Sequence, residues 1–134
     1  MTHLTVTADP TRFLRLALAS DAVVTGVNGL VYLAAAPLAA DLLGPGATLL
    51  RGLGIFLLLY GAAVGFLAGR REIGQAATRA VIGLNIAWTL GSVAAVVFGL
   101  LEFTTIGAVW AIAQALTVGA FAELQIMGLR KATR

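Results

Sequence analysis

The third of four long apolar stretches in this chain, residues 80–101, reads AVIGLNIAWTLGSVAAVVFGLL. It contains no charged side chain, and a helix needs roughly 20 such residues to cross about 30 Å of hydrocarbon. Three further stretches of similar length and apolar character are residues 16–36, 50–69 and 105–127. A membrane barrel is excluded, because its strands would alternate polar and apolar residues over about ten positions. The sequence therefore predicts an all-α fold, a bundle of four transmembrane helices.

The composition of the whole chain agrees with membrane insertion. Of its 134 residues, 60% are hydrophobic and only 11% are charged. Soluble domains usually carry about a quarter charged residues. No second zone of different composition interrupts the sequence, so we expect one integral membrane domain over residues 1–134 with the lipid bilayer as its surroundings. The net charge of +3 does not indicate a nucleic-acid partner, since the basic residues lie at the edges of the apolar stretches.

The distribution of Lys and Arg predicts the orientation, because cytoplasmic loops are enriched in these residues. Eight of them flank the two ends of the chain and the middle loop, and Arg51 alone lies on the other side. Both termini are therefore predicted to be cytoplasmic. This bias excludes a dual-topology multidrug transporter, whose charge bias would be near zero. The eight are Arg12, Arg15, Arg70, Arg71, Arg79, Arg130, Lys131 and Arg134.

The first stretch resembles a signal peptide, with arginines before it and three alanines at residues 34–36. The stretch is longer than the 7–15 apolar residues of such a signal. Pro37 would also follow the cleavage site directly. We expect this stretch to be kept as a transmembrane helix.

Polar residues recur along one side of the first and third predicted helices. Positions i, i+4 and i+7 lie within about 60° on a helix, so each set shares one face. Polar side chains are costly in lipid, and we expect both faces to point into the bundle. Glu123 of the fourth helix lies at a similar depth. The candidate ligand-binding cluster comprises Asp21, Thr25, Asn28, Asn85, Thr89, Ser92 and Glu123.

Each candidate also has a purely structural interpretation. Ser, Thr and Asn often hydrogen-bond between membrane helices or to their own backbone. The carboxyl groups of Asp21 and Glu123 are costly at depth, which favours a functional role, although snorkelling to the interface is an alternative for both and pairing with Arg15 or Arg79 is one for Asp21. Gln114 and Gln125 lie opposite Glu123, so the fourth helix cannot turn all three inward. The rotation of that helix is left open.

Two patterns concern how the helices are arranged. A weak repeat at an offset of 64 residues is compatible with duplication of a two-helix unit, helices 1–2 and 3–4, or with chance. Small residues also recur every fourth position, as in Gly61, Gly65 and Gly69, or Gly83, Ala87 and Gly91. Such runs predict a compact bundle without a wide aqueous pore, or a dimer face. The repeat pairs Arg15, Asp21, Thr25 and Asn28 with Arg79, Asn85, Thr89 and Ser92.

Several kinds of site are excluded by residues that the sequence lacks. There is no cysteine, and His3 is the only histidine, so haem ligation by two histidines and thiolate or histidine metal clusters are excluded. No lysine lies within a predicted helix, which excludes a retinal Schiff base. We find no phosphate-binding loop and no serine nucleophile motif. No cofactor and no metal site is predicted.

The start of the first helix, Arg12-Phe13-Leu14-Arg15-Leu16-Ala17-Leu18-Ala19, together with the length and four spans, resembles the small integral membrane proteins grouped as DoxX-like. The resemblance covers residues 12–130 and implies a bacterial cytoplasmic membrane. Members with assigned roles are accessory subunits of membrane redox systems. The resemblance supplies no functional residues for transfer to this chain.

Three functional hypotheses follow. The first is a non-enzymatic accessory or scaffold protein that binds a lipid or a partner helix, as a homodimer or with another membrane protein. The second is a small membrane enzyme or binder for a lipophilic molecule such as a quinone or isoprenoid, with Asp21 and Glu123 as acid and base. The third is proton-coupled transport by a dimer that uses the same carboxyls.

Overall fold

The structure, a computed structural model, describes residues 11–133, so His3 and Arg134 lie outside it. The described chain is helical, without strands, and four of its helices are long and apolar enough to cross a membrane. This confirms the all-α bundle and indicates a multi-pass membrane protein. The helices are α1 Arg12–Ala34, α2 Ala36–Leu43, α3 Ala47–Gly69, α4 Gln75–Val97 and α5 Thr105–Ala132.

The short helix α2 replaces most of the loop that the sequence predicted at residues 38–46. Helix α1 ends where Ala35 adopts φ −121° and ψ 33°, and Pro37 falls in the first turn of α2. Proline is tolerated in a first turn because its missing N–H would have no intrahelical partner there. Gly44, at φ 108°, ends α2 in a conformation that other residues rarely adopt. Pro37 therefore starts a second helix instead of a loop.

The ends of the other helices also differ from the ends of the apolar stretches. Helix α4 begins at Gln75 and ends at Val97, several residues before the predicted limits of 80 and 101. Helix α5 continues to Ala132 instead of residue 127. The first turn of α4 and the last turn of α5 are polar, so they extend the helices beyond the apolar stretches. At its other end α4 stops early, and Gly99, at φ 61°, follows that end. Hydropathy located the spans but not their polar extensions.

Helices α1 and α3 pack so closely that their backbones touch. A Cβ atom added to Gly29 would lie 2.8 Å from the carbonyl oxygen of Gly54, and one on Gly61 would lie 3.0 Å from the backbone nitrogen of Gly26. Helix α4 packs on α5, and α5 also packs on α1, where Gly128 meets Leu14. Helices α3 and α4 barely contact each other. The molecule thus consists of two hairpins, α1–α2–α3 and α4–α5.

The small-residue run of α4 does not pack in the way the sequence predicted. A Cβ atom added to Gly83 or Gly91 would have no neighbour within 4 Å. Close packing within the bundle therefore holds at Gly61 of α3 and not at Gly83 and Gly91 of α4, for which the alternative of a dimer face stays a prediction. The reason is that a run of small residues permits close approach without supplying the partner that fills the space.

The larger of two hydrophobic core clusters in the described chain lies at the end of the bundle that carries both chain ends, and the smaller one, Ala36, Ala39 and Leu50, joins α2 to α3. The larger cluster includes Leu14, Leu18 and Val64, all almost fully buried. At the same end Arg15 donates hydrogen bonds to the carbonyl oxygens of Ala68 and, at 2.7 Å, Arg70, and so caps the end of α3. The opposite half of the bundle, towards α2, is less tightly filled.

Candidate functional site

The interior of the bundle contains a hydrogen-bonded group centred on Asp21, which is fully buried. The hydroxyl of Thr25, one turn later on α1, donates to Asp21 Oδ1 at 2.9 Å. Asp21 Oδ2 accepts from Asn85 Nδ2 of α4 at 2.7 Å and from Gln125 Nε2 of α5 at 2.8 Å. Three neutral donors from three helices therefore satisfy this acid, and the arginine nearest along α1, Arg15, bonds to the end of α3 instead.

Asn85 connects this acid to the remaining long helix. The hydroxyl of Tyr60, on α3, donates to Asn85 Oδ1 at 3.0 Å and to the carbonyl oxygen of Val81 at 3.2 Å. Asn85 Nδ2 also donates to Gln125 Oε1 at 3.0 Å. We call Asp21, Thr25, Tyr60, Asn85 and Gln125 the polar core. It joins all four long helices, and no buried side-chain nitrogen or oxygen among the described residues lacks a partner.

Further hydrogen bonds lie between the polar core and α2. Trp88 Nε1 donates to Gln114 Oε1 at 2.7 Å, and Gln114 Nε2 donates to Ser92 Oγ at 3.1 Å. Closer to α2, Trp110 Nε1 donates to the hydroxyl oxygen of Tyr32 at 2.6 Å. These bonds hold α4 to α5 and α5 to α1 on either side of an open space.

That space is a cavity of about 590 Å³ that runs from the middle of the bundle towards α2. Thr25, Asn85 and Tyr60 form its inner end, and Leu43 and Pro45 lie at its outer end. Most of the wall is aliphatic or aromatic, and none of the described residues that line it is charged. A site of about 300–1,000 Å³ with an apolar wall and a few polar groups is typical of a small-molecule site.

The cavity reaches the lipid-facing surface between α3 and α4. Phe56 and Leu84 line it and are 46% and 51% exposed, respectively. The Phe56 ring stacks on Tyr60 at 5.8 Å between centroids and on Trp88 at 6.3 Å. The Phe56–Trp88 stack and the hydrogen bonds of Tyr60 link α3 to α4 beside this opening. A molecule dissolved in the bilayer would thus meet the cavity at an aromatic border.

The structure brings together only part of the predicted cluster. Asp21, Thr25 and Asn85 meet in the polar core, and the Thr89 hydroxyl donates to the backbone oxygens of Asn85 and Ala115, which is a helix-packing role. Asn28 and Ser92 line the cavity and form no hydrogen bond to the polar core.

Glu123, a member of the candidate cluster, is exposed and lies outside the polar core, which decides the rotation of this helix that the sequence left open. Gln125 occupies the inward position instead, with no exposed surface. A sequence signal for this rotation exists in the small residues of α5. From Gly107, Gln125 lies eighteen positions on and falls at about the same angle, whereas Glu123 falls about 160° away. The buried face of α5 follows that run through Ala111 and Ala115.

The arrangement limits the chemistry that this site performs. An acid–base pair of Asp21 and Glu123 is not formed, because one side chain is buried and the other is exposed. Asp21 does not line the cavity, and both of its oxygens already accept hydrogen bonds. The cavity is therefore suited to holding a molecule, with the polar core as a structural floor.

No protein-family model matches this chain, and comparisons with curated proteins and with solved structures find no match. The resemblance to DoxX-like proteins stays a prediction.

Proposed function

We propose that this membrane protein binds one lipophilic molecule in the cavity between its helices and catalyses no reaction on it. The observation that carries the proposal is the 590 Å³ cavity, which has an apolar wall, a polar inner end and a border with the lipid. A cavity of this volume accommodates a molecule of drug-like size.

The non-catalytic part of the proposal rests on the arrangement of the acids. Asp21 is enclosed by three hydrogen-bond donors, and Glu123 is on an exposed face. Neither carboxyl is therefore placed within hydrogen-bond reach of a molecule in the cavity, as proton transfer to or from that molecule would require. Proton-coupled transport relied on the same two carboxyls and gains no support from their separation.

The proposed orientation has both termini in the cytoplasm of a bacterial cell. Arg15, Arg70 and Lys131 lie together at the end of the bundle that carries the termini. Arg51 is the basic residue at the α2 end. By the positive-inside rule, the cavity then occupies the half of the bundle that faces the outer leaflet.

An accessory role beside a partner membrane protein is the second candidate. Helix α4 is the least buried span, and Gly83 presents open space on its surface. Such a face would accept a close helix from another chain. Binding of a partner helix would not require the cavity, so one experiment can separate the accessory role from ligand binding.

The test is the intact mass of the protein released gently from its native membrane, for the wild type and two variants. Gly91→Phe places a ring where a Cβ meets open space in the cavity wall, and Gly83→Phe does the same outside the cavity. We expect a bound small molecule on the wild type and on Gly83→Phe but not on Gly91→Phe.

Other outcomes decide against ligand binding. A wild-type protein without a bound molecule contradicts the proposal, as does a molecule that Gly91→Phe retains in full. A second polypeptide that copurifies with the wild type and is lost in Gly83→Phe would establish the accessory role instead.

A further inference from the structure

We infer that the molecule held in this cavity is uncharged, with a single apolar chain or ring system and a head that presents a carbonyl or hydroxyl oxygen. The inference rests on the proposed function and names the chemical class of the ligand. It separates neutral lipophiles from lipophiles with a phosphate or ammonium head.

The first argument is the charge of the cavity wall. No Asp, Glu, Lys, Arg or His is among the described residues that line it. Asp21 lies behind Thr25 and Asn85 with its oxygens occupied, and Arg15 is bonded to the far end of α3. Arg51, close to the cavity along α3, is exposed and does not line it. A phosphate or ammonium group inside would therefore be unpaired, which costs several kcal/mol in an apolar setting.

The second argument is that three polar groups in the wall keep unused hydrogen-bonding capacity. Asn28 forms no hydrogen bond with any other described residue, and its amide offers both donors and an acceptor. The Tyr32 oxygen accepts from Trp110, which leaves the hydroxyl hydrogen of Tyr32 to donate. Ser92 accepts from Gln114 and keeps its hydrogen in the same way. Neutral donors of this kind suit the oxygen of a carbonyl or hydroxyl.

The third argument is the position of these groups. Asn28 and Tyr32 are four residues apart on α1, so they are neighbours on one helix face. Phe56 and Trp88 lie on the opposite border of the cavity, where their rings stack. If the head group of the ligand is bonded to α1, its apolar chain or ring therefore lies against this aromatic border. The wall thus offers hydrogen-bonding groups on α1 and aromatic surface at the border of α3 and α4, as an amphiphilic but neutral ligand requires.

The experiment compares three probes that share one C20 prenyl chain: geranylgeraniol, geranylgeranyl phosphate and geranylgeranylamine. Binding to the purified full chain is followed by its intrinsic fluorescence. Both tryptophans of the chain, Trp88 and Trp110, line the cavity. We expect the alcohol to bind at least about tenfold more tightly than either charged probe, a difference of about 1.4 kcal/mol. Equal or tighter binding of the phosphate or the amine would overturn the inference.

A pair of variants tests the head contact. Asn28→Leu keeps a similar volume but removes the free amide, so we expect the affinity for geranylgeraniol to fall about fivefold to tenfold, the effect of one hydrogen bond. Val27→Leu is the control, because Val27 is 55% exposed on the same helix and does not line the cavity. An unchanged affinity of Asn28→Leu would show that the head is not bonded there.

Failure of this inference is distinguishable from failure of the proposed function. If the native molecule is present on the wild-type protein and absent from Gly91→Phe, the proposed function stands, and fragmentation of that molecule gives the charge of its head. A phosphate or ammonium head then refutes the uncharged class alone. If the wild type carries no molecule and binds no probe, both proposals fall together.

Discussion

At the scale of single residues, Asp21 is held by neutral donors. Thr25 bonds to one carboxyl oxygen, and the amides of Asn85 and Gln125 bond to the other. Each interhelical hydrogen bond in a membrane contributes about 0.6 kcal/mol on average, with a maximum near 1.7. The Thr25 bond lies within α1, so the two bonds from Asn85 and Gln125 are the ones that help to join α1 to α4 and α5.

Replacement of Asp21 by Leu should lower the free energy of unfolding by about 1–3 kcal/mol, because two buried amides lose an acceptor. Asp21→Asn should cost less than about 1 kcal/mol. Its carbonyl oxygen still accepts from Asn85 and Gln125, and the Thr25 hydroxyl can turn to accept from the new amide. Unfolding of the purified protein by SDS in mixed micelles measures both variants. If Asn were as damaging as Leu, the negative charge and not the hydrogen bonding would be what matters at this position.

The same residues show how far the sequence alone reaches. Asp21, Thr25 and Asn85 were predictable as inward-facing, because spacing fixes which residues share a helix face. The partner Gln125 was left open, since the spacing of the polar residues alone does not fix how α5 is rotated about its axis. Only the small-residue face of α5, buried against the other helices, turns Gln125 inward and Glu123 outward.

At the scale of helices, the contact between α1 and α3 depends on the absence of side chains. Gly29 and Gly54 meet backbone to backbone, with a Cβ on either predicted to lie within 2.8 Å of the other helix. This closeness allows dispersion contacts between the two helices. Such contacts matter in a membrane, because lipid supplies no hydrophobic driving force for helix association.

Gly29→Ala should therefore destabilise the protein by about 1–3 kcal/mol through overpacking. Gly26→Ala, one turn away on the same helix, is the matched control, because its Cβ would meet nothing within 4 Å. It should be neutral or stabilising by up to about 1 kcal/mol, since alanine favours helix over glycine. Thermal unfolding of both variants in one detergent compares them. Equal stability of the two would mean that α1 and α3 are further apart in the membrane.

At the scale of the whole molecule, the four long helices were predictable from hydropathy, and the short helix α2 and the cavity were not. The spacing of Gly83, Ala87 and Gly91 predicted close packing, yet Gly91 lines open space. Whether a small residue is covered by a neighbour depends on the distance between α3 and α4, and that distance does not follow from spacing along one helix. The stacked rings of Phe56 and Trp88 lie at the border between the two helices.

The proposed orientation has a simple test, because the chain contains no cysteine. Asp41→Cys places a thiol on α2, and Glu72→Cys places one between α3 and α4. Each replaces one exposed acid, so the two variants are matched in charge. A membrane-impermeant maleimide should label Asp41→Cys in intact cells and Glu72→Cys only after lysis. The reverse pattern would place the termini outside.

The division into two hairpins also sets an order of events during biosynthesis. A chain is made from its N-terminus, so α1 and α3 can pair through their glycines while α4 and α5 are still untranslated. At that stage Asp21 has Thr25 beside it, but Asn85 and Gln125 do not yet exist. An acid that lacks partners in hydrocarbon is costly. Insertion of the second hairpin is thus the step that supplies Asp21 with its two amide donors. An acid made early in synthesis therefore favours packing of the helices that are made last.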